Sequence, residues 1–158
     1  MKSGGTVMAW RIVAPEFVSS ALDGRGAAYF GGRFNGVGRR VVYSSGSISL
    51  ALLEMLAALE DRAVLRNHVC IPICMNANDI EIMARNALPA GWDSVPFSAA
   101  SQRVGDAWVT EQRALVLRVP SVVVPQEHNY LVNPLHERFN EIEVLDPFPI
   151  DLDRRLVR

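Results

Sequence analysis

RVVYSSGSISLALLEMLAALED, residues 40–61, changes its period half-way along. Residues 40–44 set two valines and a tyrosine in an extended run, which Gly46 then breaks. From Ser47 to about Asp61 the spacing turns helical, with Ile48, Leu52, Met55, Leu56 and Leu59 recurring at i, i+3, i+4 and i+7 on one face. Outward from this strand and helix, strand-like runs dominate: MAWRIV at 8–13, HVCIPICM at 68–75, DIEIM at 79–83, ALVLRV at 114–119 and IEVLD at 142–146. A second helix is expected over residues 98–113, and LPAGWDSVP at 88–96, with two prolines and a glycine, reads as a long surface loop. Strands outnumber helices and do not alternate with them as a doubly wound fold requires, so the class is α+β. Pro72, inside an otherwise regular strand, marks an edge strand or a bulge.

The chain of 158 residues is expected to fold as one domain over 1–158. Apolar residues make up 49% and charged residues 21%, a globular composition that excludes disorder. Lys and Arg number 16 against 17 Asp and Glu, so the formal charge is -1 and no basic surplus draws the chain to nucleic acid or to a membrane surface. With no helix-turn-helix pattern either, direct nucleic-acid binding is not expected. An anion site therefore has to be local. The N-terminal MKSGGTVMAWRIVAPEF lacks the apolar stretch of a signal peptide, and no apolar run approaches the ~20 residues of a membrane helix. Cys70 and Cys74 lie four strand steps apart, near 13 Å at ~3.3 Å per step, which is beyond disulfide reach. They read as reduced core residues without a zinc partner set, and a cytoplasmic location fits. The tail DLDRRLVR, with Arg154, Arg155 and Arg158, reads as solvated or as part of a partner surface.

Against this ordinary background, four polar residues stand in apolar company: Arg33 in GGRFNGVGRR, Tyr43 in VVYSS, Glu54 in LALLEMLAALE and Ser121 in RVPSVVVP. Six glycines crowd positions 24–38 without the GxGxxG spacing, so the segment reads either as a hairpin with wide turns or as backbone able to approach a ligand. Within it Arg33 offers a planar fork of donors suited to a diphosphate, and Arg11 in MAWRIV is a weaker case of the same kind. Glu54 projects away from the apolar stripe of its helix, on a face shared with Ser47, Ala51, Ala58 and Asp61. Taken alone it also reads as a solvated glutamate, and Tyr43 as a packing aromatic. A Ser121 triad with His136 or His128 lacks the sharp GxSxG turn and is not favoured. His68 alternates with apolar residues and reads as structural. Asn133, in LVNPLH, is suited equally to capping or to binding.

Taken in order, AWRI at 9–12, GGRFN at 31–35, VVYSS with the helix ALLEMLAAL, and RVPSVVVPQEHNYLVNPLH at 118–136 resemble the RES domain, a family named for an arginine, a glutamate and a serine. The resemblance spans most of the chain and assigns Arg33, Glu54 and Ser121 to those three positions. Phe34 stands where the family more often has tryptophan. The resemblance implies an ADP-ribosyltransferase-like fold, with a mainly antiparallel β core and flanking helices around an NAD cleft. It also implies a toxin of a type II toxin–antitoxin pair, with an Xre-type helix-turn-helix antitoxin as partner and a homodimer as one assembly open to the complex. NAD would be the substrate, with no further cofactor and no metal.

Cleavage of the nicotinamide–ribose bond expels a neutral base from a cationic one, so a carboxylate can stabilise the ribosyl cation that develops. Glu54 takes that role. Arg33 would hold the diphosphate or the nicotinamide ribose, Tyr43 would stand by the nicotinamide, Ser121 would orient a ribose hydroxyl or the amide, and Arg11 and Asn133 would complete the polar lining. Three outcomes stay open: NAD breakdown by hydrolysis or phosphorolysis, ADP-ribosyl transfer to one protein target, and a non-catalytic binding module.

Overall fold

The computed structural model describes residues 4–157. In chain order it contains β1 (Thr6–Val13), α1 (Arg25–Phe30), β2 (Val42–Ser45), α2 (Ile48–Ala58), β3 (Val69–Asn76), β4 (Ile80–Ile82), α3 (Ala99–Thr110), β5 (Val116–Pro120), β6 (His128–Val132), β7 (Glu143–Val144) and β8 (Phe148–Pro149), with short 3-10 turns between. The strands form one sheet in the order β4-β5-β6-β2-β1-β3-β7, with β8 also paired to β3. Every pairing is antiparallel except β4 with β5. That parallel pair needs a crossover, which the segment carrying α3 supplies. The class is α+β, as the strand pattern indicated.

Alternation along the strands divides the sheet into two faces. One face carries Ala9 and Val13 of β1, Val42 of β2, Ile71, Ile73 and Met75 of β3, Val116 of β5 and Val132 of β6, gathered in one apolar cluster. The opposite face is covered twice. Against β5 and β6, Trp108 and Val109 of α3 pack on Leu117, Val119 and Leu131. At the β1 and β3 side, Ala51, Leu52 and Met55 of α2 pack with Trp10, Ile12 and Cys70. Between the two helices lie Tyr43 and Ser45 of β2 and their register partners Leu131 and Asn129 of β6. The polar residues of the sequence collect in this gap.

Several local expectations change. The helix α2 ends at Ala58, because Leu59 is already extended, and Ser47 caps its start by accepting the Leu50 N–H at 3.0 Å. Of the predicted stripe, Leu52, Met55, Leu56 and Leu59 pack against the core while Ile48 is exposed, and the covered face widens to take in the buried Leu50 and Ala51. The glycine-rich segment is not a hairpin: it begins with α1, and its only β pairing among the described residues is the single Gly32–Asn35 bridge. The strand β6 was not foreseen at all. Pro72 sits on a strand with neighbours on both sides. Its carbonyl accepts from Leu145 on the outer side, where the partner strand is split into β7 and β8, so the missing N–H falls at a break in the ladder. The loop at 88–96 is less of a surface loop than expected, since Trp92 is buried against the α3 cluster.

Candidate functional site

The loop that carries Arg33 is built as a rigid shelf. Asn35, fully buried, donates Nδ2 to the carbonyls of Ala27 at 2.8 Å and of Gly36 and Arg39 at 3.1 Å each. Its Oδ1 accepts the Tyr43 hydroxyl at 2.6 Å, and that hydroxyl accepts the Phe34 N–H at 3.1 Å. From α3, Gln102 donates to the carbonyls of Gly32 and Asn35, and Asp106 accepts the Gly36 N–H. Two glycines permit this closeness. A Cβ on Gly32 would lie 2.7 Å from the Tyr43 hydroxyl, and one on Gly105 of α3 would overlap the Phe34 carbonyl oxygen.

On this shelf Arg33 donates Nη1 to the carbonyls of Trp92 at 2.9 Å and Ser94 at 2.8 Å, so the buried Trp92 loop holds one side of its fork. Nε and Nη2 have no protein hydrogen bond among the described residues and remain available to an anion. Burial lowers the guanidinium from its ordinary value, while the charges of Glu54 and Asp93 push it back up. Burial likewise pushes the Tyr43 phenol well above its usual range, so it stands in the site as a neutral hydroxyl.

Glu54 reaches the same gap from α2. Its Oε1 accepts from Ser121 Oγ at 2.7 Å and from Asn129 Nδ2 at 2.9 Å. Ser121, fully buried at the end of β5, also accepts the N–H groups of Val123 and Val124, each at 3.0 Å. One proton and two lone pairs are thereby all spent, so Ser121 has nothing left to orient a ribose hydroxyl or an amide. It holds Glu54 instead. Beside this carboxylate is a cavity of about 140 Å³ lined by Trp10, Tyr43, Ser45, Ala51, Met55 and Asn129. That volume suits one ring-sized group and falls well short of the ~300–1,000 Å³ that encloses a drug-sized ligand. A larger open groove of about 610 Å³ lies on the other side of the sheet, along Val18, Leu22, Pro134, Phe139 and Ile142, and neither Arg33, Tyr43, Glu54 nor Ser121 lines it.

Of the two further residues expected in the polar lining, Arg11 borders the cavity but spends its guanidinium on backbone carbonyls, and Asn133 is employed elsewhere. Arg11 shares its strand face with Ala9 and Val13, opposite Trp10, and donates to the carbonyls of Ala21 and Tyr43 at 2.8 Å each. It splints β1 to β2 where the two strands diverge beyond their single registered pair. Asn133 lies four steps along from Asn129, about 13 Å at strand rise, where it is fully buried and accepts the Leu135 N–H as a turn cap. No histidine meets Ser121. His136 accepts the Arg138 N–H and lies 3.4 Å from the Arg113 carbonyl, and His68 is buried. Both cysteines are free, and burial raises the Cys70 thiol to about 11. The sequence did not single out Asn129, Ser45 or the two carbonyls that hold Arg33. An asparagine inside a strand, where it is disfavoured, was the available signal for the first.

The chain matches the family model of the RES domain over residues 8–153. It belongs to the RES domain family. A protein of Photorhabdus laumondii named Toxin Res is 33% identical over 153 residues, covering 94% of this chain and 96% of that one. A Sphingobium protein named Prs ADP-ribosylating toxin is 37% identical over 136 residues, covering 83% of this chain and 84% of its own. The structure aligns at a TM-score of 0.74 with a chain of the M. tuberculosis MbcT-MbcA toxin-antitoxin complex, covering 93% of this chain and 85% of that one, and at 15% identity the likeness is one of fold. In this RES domain the three polar positions named above come from three separate elements. Glu54 and Ser121 meet directly, and Arg33 stands near enough for the Glu54 charge to act on it.

Proposed function

We propose that this RES domain is the toxin of a toxin–antitoxin pair and that it breaks the nicotinamide–ribose bond of NAD. The observation that carries the reading is a carboxylate with one oxygen fixed by two donors and the other without a protein partner among the described residues, beside a ring-sized cavity and a half-engaged arginine. Nicotinamide would occupy the cavity. The C1′–N1 electron pair then departs with the ring nitrogen and cancels its positive charge, and C1′ is left as an oxocarbenium centre facing Glu54. An oxygen of water or phosphate closes on C1′, and its proton passes to solvent. Nε and Nη2 of Arg33 would take the diphosphate, whose bulk lies outside so small a cavity. Tyr43 would contribute its ring as a wall of the cavity, since its hydroxyl already braces Asn35 and Phe34.

The names of the relatives support the toxin role, and the toxin-antitoxin title of the structural neighbour supports an antitoxin as partner. An Xre-type antitoxin, with the toxin acting in the cytoplasm, belongs to the same reading. No helix among the described residues is long and apolar enough to cross a membrane. One observation favours a second outcome: the 37% identical relative is named an ADP-ribosylating toxin, so a protein side chain is the alternative acceptor.

The test is nicotinamide release from NAD by the purified chain in EDTA buffer, with and without phosphate. Glu54→Gln should lower the rate by about 100-fold or more, the scale of a lost transition-state stabiliser. Equal NAD depletion by wild type and Glu54→Gln would sink the reading. Labelled NAD in cell lysate separates the acceptors, because transfer leaves the label on protein.

A further inference from the structure

Glu54 has two hydrogen-bond donors, and only one of them lies at a position the RES resemblance assigns. The other is Asn129 of β6, and its orientation follows from chemistry. An ionised carboxylate only accepts, so the Asn129 amide must present Nδ2 to Glu54, at 2.9 Å. Its Oδ1 then faces away and accepts the hydroxyl of Ser45, at 2.7 Å. Ser45 is buried on β2 and stands in register with Asn129 across the strand pair, so the backbone ladder fixes the distance between them. A reversed amide would set Oδ1 against the carboxylate and lose both bonds.

We infer that Asn129, with its amide direction fixed by Ser45, is a positioning residue that holds Oε1 of Glu54 and leaves Oε2 as the oxygen offered to the ribosyl centre. This rests on the reading of Glu54 as the catalytic carboxylate. The order Ser45, Asn129, Glu54 forms a relay across β2, β6 and α2, the three elements that border the gap between the helices. Ser121 alone would leave the carboxylate free to turn about a single bond, whereas two donors on one oxygen fix its plane. The relay also makes the site sensitive to β-sheet register, because a one-step slip of β6 would send Asn129 to the opposite face.

Asn129→Ala, Asn129→Asp and Ser45→Ala test this, each compared with wild type by kcat and KM for NAD and by thermal unfolding. Asn129→Ala should lower kcat by about 10- to 100-fold, the scale of a bond to a charged group, with KM nearly unchanged. Asn129→Asp keeps the shape but sets a second carboxylate against Glu54, so it should lose more kcat than the alanine variant. A packing role demands the opposite ranking. Ser45→Ala combined with Asn129→Ala should cost no more than Asn129→Ala alone, because Ser45 acts through the amide. An aspartate variant milder than alanine, or a rise in KM with kcat intact, overturns the inference. If wild type itself releases no nicotinamide, the proposed reaction fails, and the side-chain amide resonance of Asn129 then decides the positioning role. That resonance should shift in Glu54→Ala, and an unmoved resonance refutes the relay.

Discussion

Tyr43→Phe removes one oxygen and separates two roles for the same residue. The hydroxyl donates to Asn35 Oδ1 at 2.6 Å and accepts from the Phe34 N–H at 3.1 Å, and both partners are buried. Phenylalanine keeps the ring but strands one acceptor and one donor, at about 1–3 kcal/mol each. Partial relaxation brings the expected loss to roughly 2–4 kcal/mol, or on the order of 5–15 °C in Tm for a chain of this size. The loss should also depend on pH. Burial raises the Tyr43 phenol, so above about pH 10 the unfolded chain releases a proton that the folded chain retains. Stability of the wild type then falls as pH rises past that point, by up to about 1.4 kcal/mol per unit from this residue, until the folded phenol ionises too. Phenylalanine has no proton to release, so the gap between the proteins should narrow between pH 8 and 11. Urea unfolding across that range measures both effects. A Tyr43→Phe protein as stable as wild type at pH 8 that no longer releases nicotinamide would refute the bracing argument and assign the hydroxyl to the substrate.

The remaining predictions concern the same shelf. Gly105→Ala forces a Cβ onto the Phe34 carbonyl oxygen, and since neither backbone can yield, unfolding experiments should show a loss of at least about 2 kcal/mol. Gly26→Ala is the control: its Cβ meets nothing within 4 Å in α1, so stability should hold or rise by up to about 1 kcal/mol. Arg33→Lys keeps the charge but replaces a planar fork by a single nitrogen, which cannot hold the Trp92 and Ser94 carbonyls on one side and present two parallel donors to an anion on the other. It should lower kcat/KM for NAD at least about 10-fold in steady-state assays, and a lysine variant with wild-type kcat/KM would show that the fork is not used.

What could be read in the sequence was what a single element displays. The helix carrying Glu54 announced itself by period, and the carboxylate stood off its apolar stripe because a ligand-facing side need not be apolar. Ser121 was conspicuous between valines and prolines for the same reason. What could not be read depends on how elements meet. Arg11 looks like Arg33 in a local window, yet one strand step sends it to the face opposite Trp10, where two carbonyls take its guanidinium. Asn129 lies in β6 and Asn133 one residue beyond its end, and only the pairing of Ser45 with Asn129 shows which one stands beside Glu54. The glycines of 24–38 suggested turns; the structure gives Gly32 to close contact with Tyr43 and the preceding stretch to α1, neither of which the glycine count specifies.

The division of labour within the site follows from how its donors are already committed. Ser121 is saturated, Tyr43 is tied to Asn35 and Phe34, and Arg11 is turned to the other face. Arg33 keeps Nε and Nη2, and Glu54 keeps Oε2, without a protein hydrogen bond among the described residues. A cavity of about 140 Å³ adds room for one ring. On the proposed reading these elements match the demands of the reaction: a cation for the diphosphate, an anion for the ribosyl centre and a slot for the departing base. Everything else in the site spends its bonds holding those groups still, so substitutions in the supporting set should lower kcat or stability before they alter which dinucleotide is bound.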